Sequence, residues 1–264
     1  MVEVRATFTN ALISSSAIIV NSMEFLEQEA LSKVKKFIPA PIFTLGPLHK
    51  LAPRIRGSLL TEDDKCISWL NKQAPESVIY VSFGSLTSIN KEELIEAAWG
   101  LASSERPFLW VVRPGMVHSS KWIELLPNGF QESVGQRACI VQWASQKEVL
   151  AHAAVGGFWS HCGWNSTMKS ICEGLPMMCK PFFGDQLLNT NYICNVWKIG
   201  LELHELERGN VERKIKRLMV NMEGMVIRKR AMDLKKDAVV CLMKDGSTNC
   251  SLNDLTNHLS LSSV

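Results

Sequence analysis

The sequence predicts an α/β fold: a doubly wound parallel sheet with helices on both faces. Three observations carry this. Short apolar, β-branched runs such as SVIYVSF at 77–83 and PFLWVV at 107–112 lack polar alternation, as strands buried on both faces do. Segments of helical periodicity separate these runs. Strand-like runs end directly in turn residues, Gly84-Ser85 and His161-Cys162-Gly163 among them.

The elements follow in order. Residues 14–20 (SSSAIIV) predict a strand and residues 23–36 a helix. Pro39-Ala-Pro41, Gly46-Pro47 and Pro53 then punctuate a stretch that reads as a linker. Residues 77–83 form a strand, and 90–102 a helix with Asn90 as N-cap and Glu93 as its capping-box partner. Strands at 107–112 and 139–143 follow, the second ending on Trp143 and leading into a short helix from Ser145. A strand at 156–160 precedes a helix at 165–173, and a strand at 176–179 precedes a helix at 185–196. Residues 211–244 are helical, Gly246-Ser247 breaks the run, and a short helix near 252–259 closes the chain. One βα unit cannot bury its own apolar face. Residues 1–47 therefore read as the last piece of a preceding domain, 48–61 as linker, 62–244 as the main domain and 245–264 as a C-terminal helix. The main domain is Rossmann-like, and its ligands belong at the carboxyl ends of the strands.

Composition excludes several classes. Of 264 residues, 46% are hydrophobic and 21% charged, as in ordinary globular domains. A net charge of +3 is too small to predict nucleic-acid binding, and the basic stretch 213–236 alternates with apolar residues at helical spacing, as solvated helix faces do. The eight cysteines form no C-x-x-C pair, and Cys162, Cys172 and Cys179 suit no common zinc spacing, so no metal is expected and the thiols read as reduced and cytoplasmic. No apolar run reaches ~18 residues, so no membrane span is expected, and no basic segment leads into an apolar one as a secretory signal would.

The chemistry concentrates in 143–186, WASQKEVLAHAAVGGFWSHCGWNSTMKSICEGLPMMCKPFFGDQ. Trp143 offers a flat π-face suited to a pyrimidine, although a lone tryptophan is more often core. The His161–Ser166 elbow turns at Gly163 into a helix start; backbone N–H groups and the positive dipole end there favour a diphosphate, with His161 and Ser166 as further donors. Ser85, after Gly84 at another strand end, can contact the same anion, although such pairs are also common turns. Asp185 and Gln186 can bond sugar hydroxyls, while Asp185 alone would read as a helix N-cap. His118 and His152 read as structural.

This ordered set resembles the donor-binding signature of plant UDP-dependent glycosyltransferases (family 1, inverting). The resemblance implies the C-terminal half of a GT-B fold and glucosyl transfer from UDP-glucose to a hydroxyl of a small hydrophobic acceptor, with UDP-sugar as substrate and no cofactor. It implies that Trp143 stacks on uracil, the Ala144 backbone bonds the base edge, and Gln146 contacts ribose or base. Ser85, His161, Asn165 and Ser166 would hold the phosphates beside Gly163, and Trp164 would lie near the sugar. Asp185 and Gln186 would read the hexose, a final Gln going with glucose.

The chain departs from that pattern at three places. Ser145 stands where the family usually has Pro. Lys169 stands where it has a glutamate that accepts from the ribose hydroxyls; an ammonium only donates, and a lost charge-assisted bond costs about 1.5–3 kcal/mol. The family's general base and its orienting aspartate lie in an N-terminal acceptor domain, and residues 1–38 contain neither His nor Asp. No catalytic residue is therefore assigned. The chain is expected to be a truncated form that binds donor without turnover, taking an acceptor only if the missing domain is supplied. A non-catalytic nucleotide-sugar-binding module is the alternative. A dinucleotide-dependent dehydrogenase is disfavoured, since no G-x-G-x-x-G follows a strand. Unmatched apolar surface is expected near 18–20 and on the crevice face.

Overall fold

A computed structural model describes residues 11–51, 63, 65–117 and 126–261. His118 and most of the expected linker, residues 52–61, lie outside the described residues. The chain divides into two compact units, residues 1–55 with 236–264 and residues 56–235.

In the first unit, β1 (Ile18–Val20) crosses over through α1 (Glu24–Phe37) to pair in parallel with β2 (Ile42–Thr44), Ile18 opposite Ile42. A single helical turn, α2 (Leu48–Leu51), follows. The C-terminal helix Ser247–Leu261 sets Leu255 against Phe43 and Leu45, and the Thr248 hydroxyl donates to the Gly46 carbonyl at 2.6 Å. Ile19 keeps an exposed apolar side chain.

The second unit begins with α3 (Lys65–Leu70), β3 (Val78–Ser82), α4 (Lys91–Ser103), β4 (Phe108–Val111), α5 (Phe130–Val134) and β5 (Ala138–Val141). It continues through α6 (Gln146–Leu150), β6 (Val155–Ser160), α7 (Trp164–Glu173), β7 (Met177–Cys179) and α8 (Gln186–Asn191). It closes with β8 (Gly200–Glu202), α9 (Arg208–Met219) and the first part of α10 (Met222–Leu242). The strands form one all-parallel sheet in the order β5-β4-β3-β6-β7-β8. The order reverses between β3 and β6, which is where a doubly wound sheet opens its ligand crevice.

Every residue of β3, β4 and β6 is buried, which accounts for their unbroken apolar runs. One core joins Ile79 and Val81 of β3, Trp110 of β4 and Trp159 of β6 to Leu94 and Leu101 of α4 and Ile215 of α9. Tyr80 stacks on Phe158 across the two central strands at 5.1 Å. Each such side chain contributes about 1.5–3 kcal/mol by burial.

The capping box on α4 forms as expected: Asn90 Oδ1 accepts from the Glu93 N–H at 2.7 Å, and the Asn90 N–H donates to Glu93 Oε2 at 3.0 Å. Two expected elements are corrected. The strand read as ending on Trp143 stops at Val141, where its pairing with β4 stops, so Trp143 lies in the loop beyond. The single helix read over 211–244 is two helices, because Val220 leaves helical geometry; a bidentate pair from Arg217 to Glu223 at 2.7 and 2.8 Å brackets the break.

Candidate functional site

The register of the sheet levels its strand ends. Ser82 lies opposite Val111 on one side and Ser160 on the other, Val111 opposite Val141, and Ser160 opposite Cys179. The residues that follow therefore emerge along one edge. Gly84, Arg113 and Trp143 each lie two positions beyond a paired strand end, and His161 one position beyond.

His161 sits at the reversal between β3 and β6. A Cβ built on Gly84 would lie 2.5 Å from its Nε2, and one built on Gly163 would lie 2.5 Å from the same atom. Only glycine leaves room for the ring at both places, and Gly84 also has a left-handed φ of 75°. Cys162, between His161 and Gly163, is itself left-handed at φ 64°, held by its N–H donating to Ser160 Oγ at 3.0 Å. The strain of a non-glycine residue there, about 1–3 kcal/mol, is of the kind concentrated at ligand clamps. Helix α7 starts from Gly163 with no side-chain cap, so its positive dipole end borders the imidazole.

The His161 ring is half-buried, and its Nδ1 is buried with no hydrogen-bond partner among the described residues. Burial, the largest influence, lowers its pKa; the Ser82 backbone and the Asp185 carboxylate act the other way.

A second cluster joins α6 to α7. Gln146 Nε2 donates to Ser166 Oγ at 3.2 Å, and Lys169 Nζ donates to Gln146 Oε1 at 2.8 Å. Ser166 and Lys169 share a face of α7 by their spacing of three. Lys169 is half-buried, which lowers its pKa, and Lys147 adds repulsion. The lysine thus orients the glutamine. Trp143 is half-buried and its carbonyl accepts from the Asp63 N–H at 3.2 Å; Ala144 is buried behind it. Ser145 occupies the N-cap position of α6 without a side-chain cap bond.

Asp185 and Gln186 differ from each other. Asp185 is exposed and accepts from Asn189 Nδ2 at 2.9 Å; that amide also donates to the Cys162 carbonyl at 2.9 Å, tying α8 to the elbow. Gln186 is buried, and its Oε1 accepts from the Phe182 and Phe183 N–H groups at 2.9 and 3.2 Å. Its carbonyl therefore shapes the preceding turn, and Nε2 is the part of the side chain that these bonds leave out. Ser85 and Asn165 are exposed at the edge, and Trp164 lies 6.4 Å from Trp197 ring to ring. Leu86, Phe183, Leu187 and Leu188 are exposed apolar neighbours of these residues.

Two residues of the edge were not singled out from sequence. Asn189 is one. The other is Arg113, whose Nε donates to the Gly84 carbonyl at 3.1 Å, Nη1 to the Pro114 carbonyl at 3.2 Å, and Nη2 to the Thr87 carbonyl. The available signal was an arginine placed directly after PFLWVV, hence at a strand's carboxyl end. His152 is structural as expected: Nδ1 accepts from the Ala154 N–H at 3.1 Å and Nε2 bonds Asn71 Oδ1 at 3.0 Å. Among the described residues, no group of three or more His, Cys, Asp or Glu is placed to hold a metal, and no helix is long and apolar enough to cross a membrane.

A parallel sheet whose order reverses beside a glycine-flanked imidazole and an uncapped helix start defines a doubly wound α/β domain with a crevice at its strand ends. The chain belongs to the UDP-glucoronosyl and UDP-glucosyl transferase family, whose sequence profile matches residues 6–237. It is 50% identical over 246 residues to UDP-glycosyltransferase 76H1 of Stevia rebaudiana, covering 93% of this chain and 58% of that protein. It is likewise 50% identical over 250 residues to UDP-glycosyltransferase 76B1 of Arabidopsis thaliana, covering 94% and 56%. The fold matches the crystal structure of UDP-glucose: anthocyanidin 3-O-glucosyltransferase in complex with UDP at a TM-score of 0.86 and 27% identity, over 96% of this chain and 55% of that one. The architecture is the Rossmann-like part of a GT-B glycosyltransferase, and the chain spans about half the length of the curated relatives it matches.

Proposed function

We propose that this chain binds UDP-glucose along the carboxyl edge of its sheet, as the donor-binding part of an enzyme that transfers a hexosyl group to a hydroxyl of a small hydrophobic acceptor. The observation that carries the reading is His161, seated between Gly84 and Gly163 at the β3–β6 reversal beside the uncapped start of α7. The solved relative named for UDP-glucose and holding UDP supports the choice of ligand. In this reading Trp143 stacks on uracil with Ala144 at the base edge, and Gln146 meets the ribose. Ser85, His161, Asn165 and Ser166 hold the diphosphate. Trp164 lies beside the hexose, whose hydroxyls meet Asp185 and the Gln186 amide nitrogen.

Transfer builds negative charge on departing UDP. In this reading His161, Ser166, Ser85 and the dipole of α7 stabilise that charge, as preorganised donors do. A base for the acceptor hydroxyl is a separate requirement. His161 does not fill it, because its ring is enclosed by two glycines on the donor side. General-base help is worth about 10²–10⁴-fold, so turnover depends on a base other than His161.

Two measurements on the purified chain test the reading: calorimetric titration with UDP and UDP-glucose, and product formation from UDP-glucose with a phenolic acceptor. Micromolar binding with little product is expected. No heat with millimolar UDP overturns the donor site, and rapid transfer by the chain alone overturns the assignment of the base elsewhere.

A further inference from the structure

We infer that Arg113 is a positioning residue for the diphosphate: its guanidinium fixes the loop after β3 so that the Gly84–Ser85 peptide presents its N–H to the phosphates. The inference rests on the donor reading above.

It begins in the register. Ser82 and Val111 are paired at the ends of β3 and β4, so Gly84 and Arg113, each two residues further on, come out side by side. Arg113 then reaches back over the β3 loop. Nε and Nη2 donate to the Gly84 and Thr87 carbonyls, which bracket the loop, while Nη1 anchors the side chain on its own Pro114 carbonyl. A planar fork of five donors can hold several fixed carbonyls at once; a lysine ammonium is a point charge on a flexible stem.

The consequence for the ligand follows from peptide planarity. The Gly84 carbonyl and the Ser85 N–H belong to one trans peptide unit and point to opposite sides. With the carbonyl drawn toward Arg113 on the β4 side of β3, the N–H turns to the other side, where β6 and His161 lie. The same bond holds Gly84 against the His161 ring, where an added Cβ would have no room. Among the described residues no carboxylate lies within ion-pair distance of Arg113, and its side chain is half-buried, so its charge also adds to the field at the phosphate end of the crevice.

The test compares UDP with uridine, which shares the base and ribose but has no phosphate. Calorimetry is run on the purified chain and on Arg113→Met and Arg113→Lys. UDP binding should weaken about ten-fold or more in Arg113→Met while uridine binding stays within about two-fold, with Arg113→Lys in between. A merely structural arginine would weaken both ligands alike. An unchanged ratio of UDP to uridine affinity in the variants therefore overturns the inference. If Arg113→Met loses its far-UV circular dichroism, the ratio in Arg113→Lys decides. A wild-type chain that binds neither ligand instead overturns the donor reading on which this rests.

Discussion

The imidazole of His161 occupies the space that a side chain on Gly84 would fill, 2.5 Å from Nε2 to the position of the absent Cβ. Gly84→Ala should push the ring out of place and also strain a backbone at φ 75°. Gly163→Ala makes the same clash at an ordinary φ of −61°. Both should lose UDP affinity by about ten-fold or more, and Gly84→Ala should also lose about 1–3 kcal/mol of stability. Calorimetry and urea unfolding separate the two effects; equal affinity in both variants and wild type would remove His161 from the phosphate site.

Burial holds the His161 pKa below its ordinary value, and an unfolded histidine titrates near 6.5. Between those two values the unfolded chain binds more protons, so stability rises with pH. The contribution is complete above about pH 6.5 and is lost as pH falls toward the folded value. Urea midpoints measured from about pH 7.5 to 5 should fall more steeply in wild type than in His161→Asn. Parallel profiles would show that the ring does not titrate differently on folding.

Lys169 places an ammonium on Gln146, where an acceptor for ribose hydroxyls is expected in this family. Lys169→Glu should therefore tighten UDP and uridine alike, each by about ten-fold. Tightening of UDP alone would place residue 169 near the phosphates instead.

Trp143 in the role of a stacking platform should contribute about 1–3 kcal/mol to uridine binding. Trp143→Ala should lose that amount, Trp143→Phe should keep most of it, and UDP should quench the wild-type tryptophan emission. An unaltered uridine affinity in Trp143→Ala would assign the indole to packing.

The capping box gives a prediction independent of the ligand. Asn90→Ala removes the acceptor of the Glu93 N–H and should cost about 0.5–2 kcal/mol in urea unfolding, with UDP affinity unchanged.

Much of this architecture was legible beforehand, for reasons that differ by element. Buried strands such as 78–82 and 155–160 announce themselves by apolar runs, and α4 by Asn90 and Glu93, because both signals are local. Strand β2 was hidden: its three residues between Pro41 and Gly46 are too short to show a period and are strands only through pairing with β1. Strand β8, also three residues, depends in the same way on β7. At the site, the glycines and His161 could be named from spacing, but their contact could not, since 77 residues separate Gly84 from His161. The bonds of Lys169 and Arg113 were beyond reach for the same reason, whereas those of Gln186 are local and were missed because its side chain was read as facing the sugar. Long polar side chains choose partners by three-dimensional proximity, and residue type limits only whether they donate or accept.

The level strand ends have a mechanical corollary. Each recognition element hangs from its own strand of a common scaffold, levelled by register and then tied to its neighbours by side chains such as those of Arg113 and Asn189. A disturbance at one tip therefore reaches the next through such a tie, while the sheet beneath keeps its level by backbone pairing alone.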